Sequence, residues 1–153
     1  MARSPWLRAT VVLLAVLAAD QGTKALVRAN VALGSEDPVF PALKLVHVRN
    51  TGVAFGALSG GGALVTIVVG VALLGLVVFF ATQVRRPWAW LPVGLLAGGA
   101  LGNVVDRIRL GAVTDFLKLP AWPAFNLADV AITVGVLALL YVLSRDEARG
   151  DPA

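Results

Sequence analysis

The segment "GNVVDRIRLGAVTDF" (residues 102–116) sets charged side chains directly against an almost uncharged run, "WAWLPVGLLAGGALGNVV". A second apolar run, "FNLADVAITVGVLALLYVL", follows shortly afterwards. Only 14% of the 153 residues are charged and 58% are hydrophobic, whereas a typical soluble domain is about half apolar and about a quarter charged. Because the apolar residues are gathered in long runs, the sequence predicts one integral membrane domain covering residues 1–153.

The composition also limits which functions and catalytic mechanisms the chain can have. The net charge of +4 comes from scattered basic residues that flank apolar runs, a pattern typical of membrane-protein loops and not of nucleic-acid binding. The chain has no cysteine and only one histidine, His47, which excludes thiol catalysis and argues against a metal cluster. Any hydrolytic chemistry is therefore expected to rest on carboxylates.

Four apolar runs are predicted to span the membrane: approximately residues 6–27, 62–83, 88–106 and 125–143. The first also resembles a secretory signal peptide, but cleavage after Ala19 would put Leu17 at the −3 position, so an uncleaved span is favoured. The polar tail 144–153 is expected to be disordered. The fold class is therefore membrane all-α with four transmembrane helices.

An even number of spans puts both termini on one side of the membrane. The basic N-terminus and the tight Arg85–Arg86 turn favour the cytoplasm for that side, because short loops weigh most in orientation. On the opposite side, residues 38–58 combine prolines, alternating side chains and "NTG". These features predict a small extracytoplasmic β-sheet after the first helix, with Asn50 and Gly52 available to an extended peptide.

Three aspartates fall at a similar depth. At about 1.5 Å per residue, Asp20 lies about 21 Å from Trp6, Asp106 about 27 Å from Trp88, and Asp129 about 24 Å from Arg145. Such carboxylates usually face a bundle interior or a wet cavity. The sequence thus predicts that they converge just inside the extracytoplasmic boundary of a core about 30 Å thick.

Neighbouring polar residues share helical faces with these aspartates. Asp20 and Lys24 are four residues apart and are interpreted as a structural ion pair. Gly94, Gly98 and Gly102 recur every four residues on the third span, a spacing that favours close helix packing. The same spacing of three or four residues places two further groups of polar side chains on one helical face each. These groups are Asn103, Asp106 and Arg107 on the third span, and Asn126 and Asp129 at the start of the fourth. Asn126 is also a candidate N-cap of that helix.

Two adjacent carboxylates cannot both ionise cheaply, so a pair can share one proton and act as acid and base. Asp129 is one candidate. Its partner is either Asp115 or Asp106, and the residues favour Asp115 because Asp106 adjoins the cation Arg107. The residues also leave two rival functions open: a proton- or ion-coupled transporter using the carboxylates as a relay, and a magnesium-dependent lipid enzyme with Asp106, Asp115 and Asp129 as ligands.

Five motifs in order resemble those of the lipoprotein signal peptidase (signal peptidase II) family of bacterial membrane aspartic peptidases: "DQGTK", "RNTGVAFG", "GGALGNVVDR", "VTDF" and "FNLAD". The resemblance covers nearly the whole chain, and the five motifs together are highly specific. It implies a catalytic dyad of Asp115 and Asp129. It implies supporting polar residues at these positions: Asp20, Lys24, Asn50, Asn103, Asp106, Arg107 and Asn126. Thr114 departs from the family, which usually has Val before the aspartate, and adds a hydroxyl beside the dyad.

The resemblance also implies the substrate and the location. Family members remove the signal peptide from a prolipoprotein, cutting just before a cysteine that already carries diacylglycerol. The expected protein is a multi-pass enzyme of the bacterial cytoplasmic membrane, active as a single chain in contact with membrane lipid. Its site would lie near the extracytoplasmic face, and no metal would be needed.

Overall fold

A computed structural model describes residues 4–52 and 61–148. Four helices and three strands occur in the order α1, β1, β2, α2, α3, β3, α4. The helices are α1 (Pro5–Asn30), α2 (Gly61–Gln83), α3 (Trp90–Leu110) and α4 (Leu127–Ala148). The strands are β1 (Glu36–Phe40), β2 (Leu43–Asn50) and β3 (Val113–Lys118).

Three of the helices in the described part of the chain are long and apolar enough to cross a membrane: Pro5–Asn30, Leu64–Gln83 and Leu127–Arg145. At most 17% of the residues in the apolar window of each helix are buried inside the protein, as expected for helices that face lipid. The predicted third span corresponds to α3, which is not among these three helices and carries Asn103, Asp106 and two arginines in its second half. This difference has a packing reason, because α3 lies between α1 and α4 and buries Asn103 and Asp106 against them.

Small residues allow that close packing. A Cβ atom added at Gly94 or Gly98 would lie 2.7 or 2.8 Å from the carbonyl oxygen of Ala9 or Leu13 on α1. The first two glycines of the predicted repeat therefore contact the α1 backbone directly. The third, Gly102, faces the Asp20 side chain, where an added Cβ would lie 2.5 Å from Oδ2. Gly99, which the repeat does not include, faces the other neighbour: its added Cβ would lie 2.5 Å from the carbonyl oxygen of Ala128 on α4.

The predicted sheet is present and has one more strand than the 38–58 segment supplies. β1 and β2 form an antiparallel hairpin, and β3 joins the other edge of β2, also antiparallel. The β2–β3 register shifts between Leu45 and Val48, so that neighbouring residues Val46 and His47 are both buried and the expected alternation fails there. Residues 53–58 of the predicted segment lie outside the described residues.

Two helices end four or more residues later than the sequence-based bounds. The third helix continues four residues past 106, to Leu110, and ends where Gly111 adopts a left-handed conformation (φ 70°). The fourth helix continues through Ala148, so disorder was the wrong expectation for residues 144–148. Residues 149–153 lie outside the described part of the chain.

Candidate active site

The start of α4 is fixed by a reciprocal capping interaction. The backbone N–H of Asp129 donates to Asn126 Oδ1 at 3.0 Å, and the backbone N–H of Asn126 donates to Asp129 Oδ2 at 3.1 Å. This is a capping box with Asn and Asp in place of the usual hydroxyl and Glu, and it confirms Asn126 as the predicted N-cap. Since the amide oxygen of Asn126 is occupied by this cap, its NH2 group faces the opposite direction.

That NH2 group reaches the β3 carboxylate. Asn126 Nδ2 donates to Asp115 Oδ1 at 2.7 Å, while Asn50 Nδ2 on β2 donates to Asp115 Oδ2 at 2.9 Å. Asn50 is itself oriented, because its Oδ1 accepts the N–H of Gly52 at 2.9 Å. Burial raises the pKa of Asp115 to about 6, with the charge of Asp129 adding to the effect and the two amide donors opposing it.

Asn103 on α3 links the second carboxylate to the same network. Its Oδ1 accepts from Lys24 Nζ at 2.9 Å and from Asn126 Nδ2 at 3.1 Å. Because ammonium groups only donate, the Asn103 oxygen must face Lys24, and its NH2 faces Asp129 Oδ1 at 2.8 Å. Asp115 and Asp129 therefore receive hydrogen bonds from a connected set of asparagine amides on β2, α3 and α4.

Behind this network lies a buried charged cluster. Lys24 and Asp20 are fully buried and 2.9 Å apart, which confirms the predicted ion pair. Lys24 also lies 3.5 Å from Asp106 Oδ2, and Asp20 Oδ1 accepts the backbone N–H of Ala128 at 3.0 Å. The cluster thus joins α1, α3 and the first turn of α4, and Asn103 connects it to Asp129. Asp20, Asp106 and Asp129 therefore lie in one connected region, while their depth in the membrane stays a prediction.

The partner of Asp106 differs from the prediction. The sequence suggested Arg107 as its cation, but the ion pairs of Asp106 are with Lys24 and, at 3.8 Å, with Arg28. Arg107 instead donates through Nη1 to the backbone oxygen of Asn103 at 3.4 Å. Successive helical residues point in different directions, so adjacency in sequence did not give contact. Arg107 Nε is buried and makes no hydrogen bond with any part of the described chain.

Two polar residues of the cluster were missed by sequence reasoning. Gln21 Nε2 lies within 3.2 Å of oxygens of Asp20, Gly102 and Asp106. Arg28 Nη1 donates to the Thr114 hydroxyl at 3.1 Å. Arg28 follows Lys24 by four residues on the same face of α1, so helical spacing could have indicated it. The contacts of Gln21 with α3 carry no comparable sequence signal.

All the predicted site residues lie in one connected region, with Arg107 at its margin. His47 lies apart from it, where its Nδ1 is 2.8 Å from the carbonyl oxygen of Val31. Over residues 4–52 and 61–148, no three His, Cys, Asp or Glu side chains are grouped as metal ligands would be. The region combines two carboxylates, Asp115 and Asp129, that are linked through the amide donors of Asn126 and Asn103, an arrangement suited to acid–base chemistry.

Comparison with known proteins assigns the chain to a family of peptidases. The chain matches the signal peptidase (SPase) II family over residues 12–145 and belongs to that family. Family membership makes it a protease, and its apolar helices agree with a membrane enzyme.

Individual relatives agree along most of their length. The chain is 41% identical over 138 residues to the lipoprotein signal peptidase of Pelotomaculum thermopropionicum, covering 89% of this chain and 91% of that protein. It is 42% identical over 132 residues to the lipoprotein signal peptidase of Moorella thermoacetica, covering 85% and 88%. It also superposes with a TM-score of 0.84 on a bacterial membrane enzyme solved by the in meso method at 1.9 Å, at 32% identity, covering 90% and 93% of the two chains.

Proposed function

We propose that this chain is an aspartic endopeptidase that removes signal peptides from prolipoproteins, cutting the peptide bond before the diacylglyceryl-modified cysteine. The substrate class follows from the family and from the names of the relatives. The observation that carries the aspartic mechanism is that Asn126 donates hydrogen bonds to both carboxylates, through its NH2 to Asp115 and through its backbone N–H to Asp129. Asn103, which also bonds to Asn126, donates to the other oxygen of Asp129.

The chemistry needs one proton shared between Asp115 and Asp129. The carboxylate without it takes a proton from water, the resulting hydroxide attacks the peptide carbonyl carbon, and the other carboxyl protonates the carbonyl oxygen. The C–N bond of this gem-diol then breaks as the first carboxyl gives its proton to the leaving nitrogen. The second carboxylate takes a hydroxyl proton back, so the pair again holds one proton. The raised pKa of Asp115, about 6, supports a pair that retains one proton close to neutral pH. No metal or cofactor is required in this scheme.

The remaining site residues have supporting roles in the proposal. Asn50, Asn103 and Asn126 orient the two carboxylates through their amide groups. Asp20, Lys24 and Asp106 hold α1, α3 and α4 together behind the dyad. Arg107 has a buried Nε without a protein partner among the described residues, and we assign it to a carbonyl oxygen of the substrate backbone.

The proposal includes a topology. α3 is the fourth membrane span, since its 21 residues would extend about 31 Å and its polar half faces protein. Both termini then lie in the cytoplasm of a bacterial cell, and the sheet and the dyad lie at the extracytoplasmic face of the cytoplasmic membrane. The enzyme acts as a single chain, with the lipid on the substrate cysteine holding the scissile bond at the level of the dyad.

The decisive experiment is cleavage of a diacylglyceryl-modified prolipoprotein by purified protein in the presence of a chelator. Asp115→Asn and Asp129→Asn should each lower the rate by at least about a thousandfold, while Asp106→Asn retains a trace of activity. Asp37→Asn is the matched control, because Asp37 lies on the exposed strand β1. This variant should cleave the substrate as fast as the wild type.

Each alternative has its own result. A dead Asp106→Asn beside an active Asp115→Asn would make Asp106 the partner of Asp129. Loss of cleavage on chelation would replace the carboxylate mechanism with a metal-dependent one. An inactive wild-type protein would refute the proposed substrate.

A further inference from the structure

We infer that Arg28 and Thr114 are positioning residues for the strand that carries Asp115, and that their link determines how fast the dyad cleaves. The inference rests on the proposed function for its kinetic consequence. The contacts themselves are independent of that function.

Thr114 is held at two points by two different helices. Its backbone N–H donates to Asp106 Oδ2 on α3 at 2.9 Å, and its hydroxyl accepts from Arg28 Nη1 on α1 at 3.1 Å. The ring is closed by Arg28 Nη1, which lies 3.8 Å from the other oxygen of Asp106. Thr114 and Asp106 are almost completely buried, at 2% and 1% exposed, so water does not substitute easily for these contacts.

Thr114 and Asp115 are consecutive residues of β3, so their side chains point to opposite faces of the strand. On one face Asp115 is held by Asn50 and Asn126. On the other face the Thr114 hydroxyl is held by Arg28, and the backbone N–H of Thr114 is held by Asp106. The strand is therefore fixed from both sides at the position of the catalytic carboxylate, and a shift there would move Asp115 relative to Asp129.

The link can be removed without dismantling the cluster behind it. The Arg28 side chain is 28% exposed and lies at the margin of the cluster, whereas Lys24 and Asp20 are fully buried. Loss of the guanidinium leaves the Lys24 contacts with Asp20 and Asp106 in place. The expected effect is thus on the placement of β3 and not on folding of the bundle.

Four variants test the link in the prolipoprotein assay: Thr114→Val, Thr114→Ser, Arg28→Met and the double variant Arg28→Met/Thr114→Val. Thr114→Val and Arg28→Met should each lower kcat about tenfold, since small displacements of a reacting group cost that much or more. KM should stay within about twofold, because neither residue is assigned to the substrate. Thr114→Ser, which keeps the hydroxyl, should retain most of the activity.

The double variant should be no slower than the slower single variant, because both substitutions remove the same hydrogen bond. The matched controls are Thr23→Val, whose hydroxyl bonds only to carbonyls of its own helix among the contacts described for it, and Arg109→Met, which removes an exposed arginine on α3. Both controls should cleave like the wild type. Multiplying losses in the double variant, a wild-type rate for Thr114→Val, or equal losses for Thr114→Ser and Thr114→Val would each overturn the inference.

Amide hydrogen exchange gives a readout that does not depend on activity. Thr114→Val and Arg28→Met should accelerate exchange in a peptide covering β3 and leave the peptides of α2 unchanged. If the wild type cleaved nothing, the proposed function would be wrong, and unchanged exchange in β3 would separately refute the link. Faster exchange confined to β3 would support it.

Discussion

Asn126 joins the helix that carries one carboxylate to the strand that carries the other. Its oxygen caps α4 by accepting the N–H of Asp129, and its NH2 donates to Asp115 and Asn103. The same side chain thus has a structural role and a positioning role. These roles use different atoms, so substitutions can separate them.

Asn126→Ala should lose both roles, whereas Asn126→Ser should keep the cap and lose the amide donor. We expect the alanine variant to lose about 1 kcal/mol of stability from the cap alone, and the serine variant to recover that part. Cleavage should remain strongly reduced in both variants. Thermal unfolding in detergent and the prolipoprotein assay measure the two roles, and full activity of Asn126→Ser would contradict the positioning role.

The Asp115 carboxyl also makes stability depend on pH. Its pKa is raised from 3.8 to about 6 in the folded protein, so the folded state holds this proton more tightly than the unfolded state. The contribution to stability is therefore complete below about pH 4 and is lost as the pH rises through about 6. We expect the free energy of unfolding of the wild type, measured relative to Asp115→Asn, to fall between pH 4 and 7. A difference that is constant over this range would show that burial does not control this group.

At the level of elements, α3 depends on glycine for its distance from its neighbours. Gly99→Ala would force a Cβ to within 2.5 Å of the Ala128 carbonyl oxygen, in the first turn of α4. We expect a loss of about 1–3 kcal/mol and slower cleavage, because Asp129 lies one residue further on.

Gly75→Ala on α2 provides the comparison for this substitution, since an added Cβ there meets nothing within 4 Å. It should leave both the unfolding temperature and the cleavage rate unchanged. Equal behaviour of the two alanine variants would refute close packing at Gly99.

The helices could be predicted from the sequence, whereas the third strand and several contacts between elements could not. The apolar runs placed all four helices to within a few residues, and the i, i+4 rule found the Asp20–Lys24 pair, because both signals are local. β3 was missed because six residues between two helices give a weak local signal, and their partners on β2 lie far away in sequence. The contacts of Gln21 and Arg28 with α3 and β3 are likewise long-range, which is also why Asp106 was given the wrong cation.

On the scale of the whole molecule, the proposed topology can be tested with unusual clarity because the chain contains no cysteine. Ala42→Cys in the exposed β1–β2 turn and Ser144→Cys near the end of α4 each introduce one exposed thiol. In cells whose outer envelope layers have been removed and whose cytoplasmic membrane is sealed, a membrane-impermeant maleimide should label the Ala42→Cys variant. It should label Ser144→Cys only after the membrane is opened. The reverse pattern would invert the proposed orientation.

The Asp20–Lys24 pair has a further consequence for biogenesis. Lys24 contacts Asn103, a residue 79 positions later, so this polar partner does not yet exist when α1 leaves the ribosome. Asp20, however, lies one turn away on the same helix, 2.9 Å from Lys24. The first helix therefore carries its own counterion and can enter the bilayer electrically neutral at this position. The later helices complete the cluster around a charge pair that is already balanced.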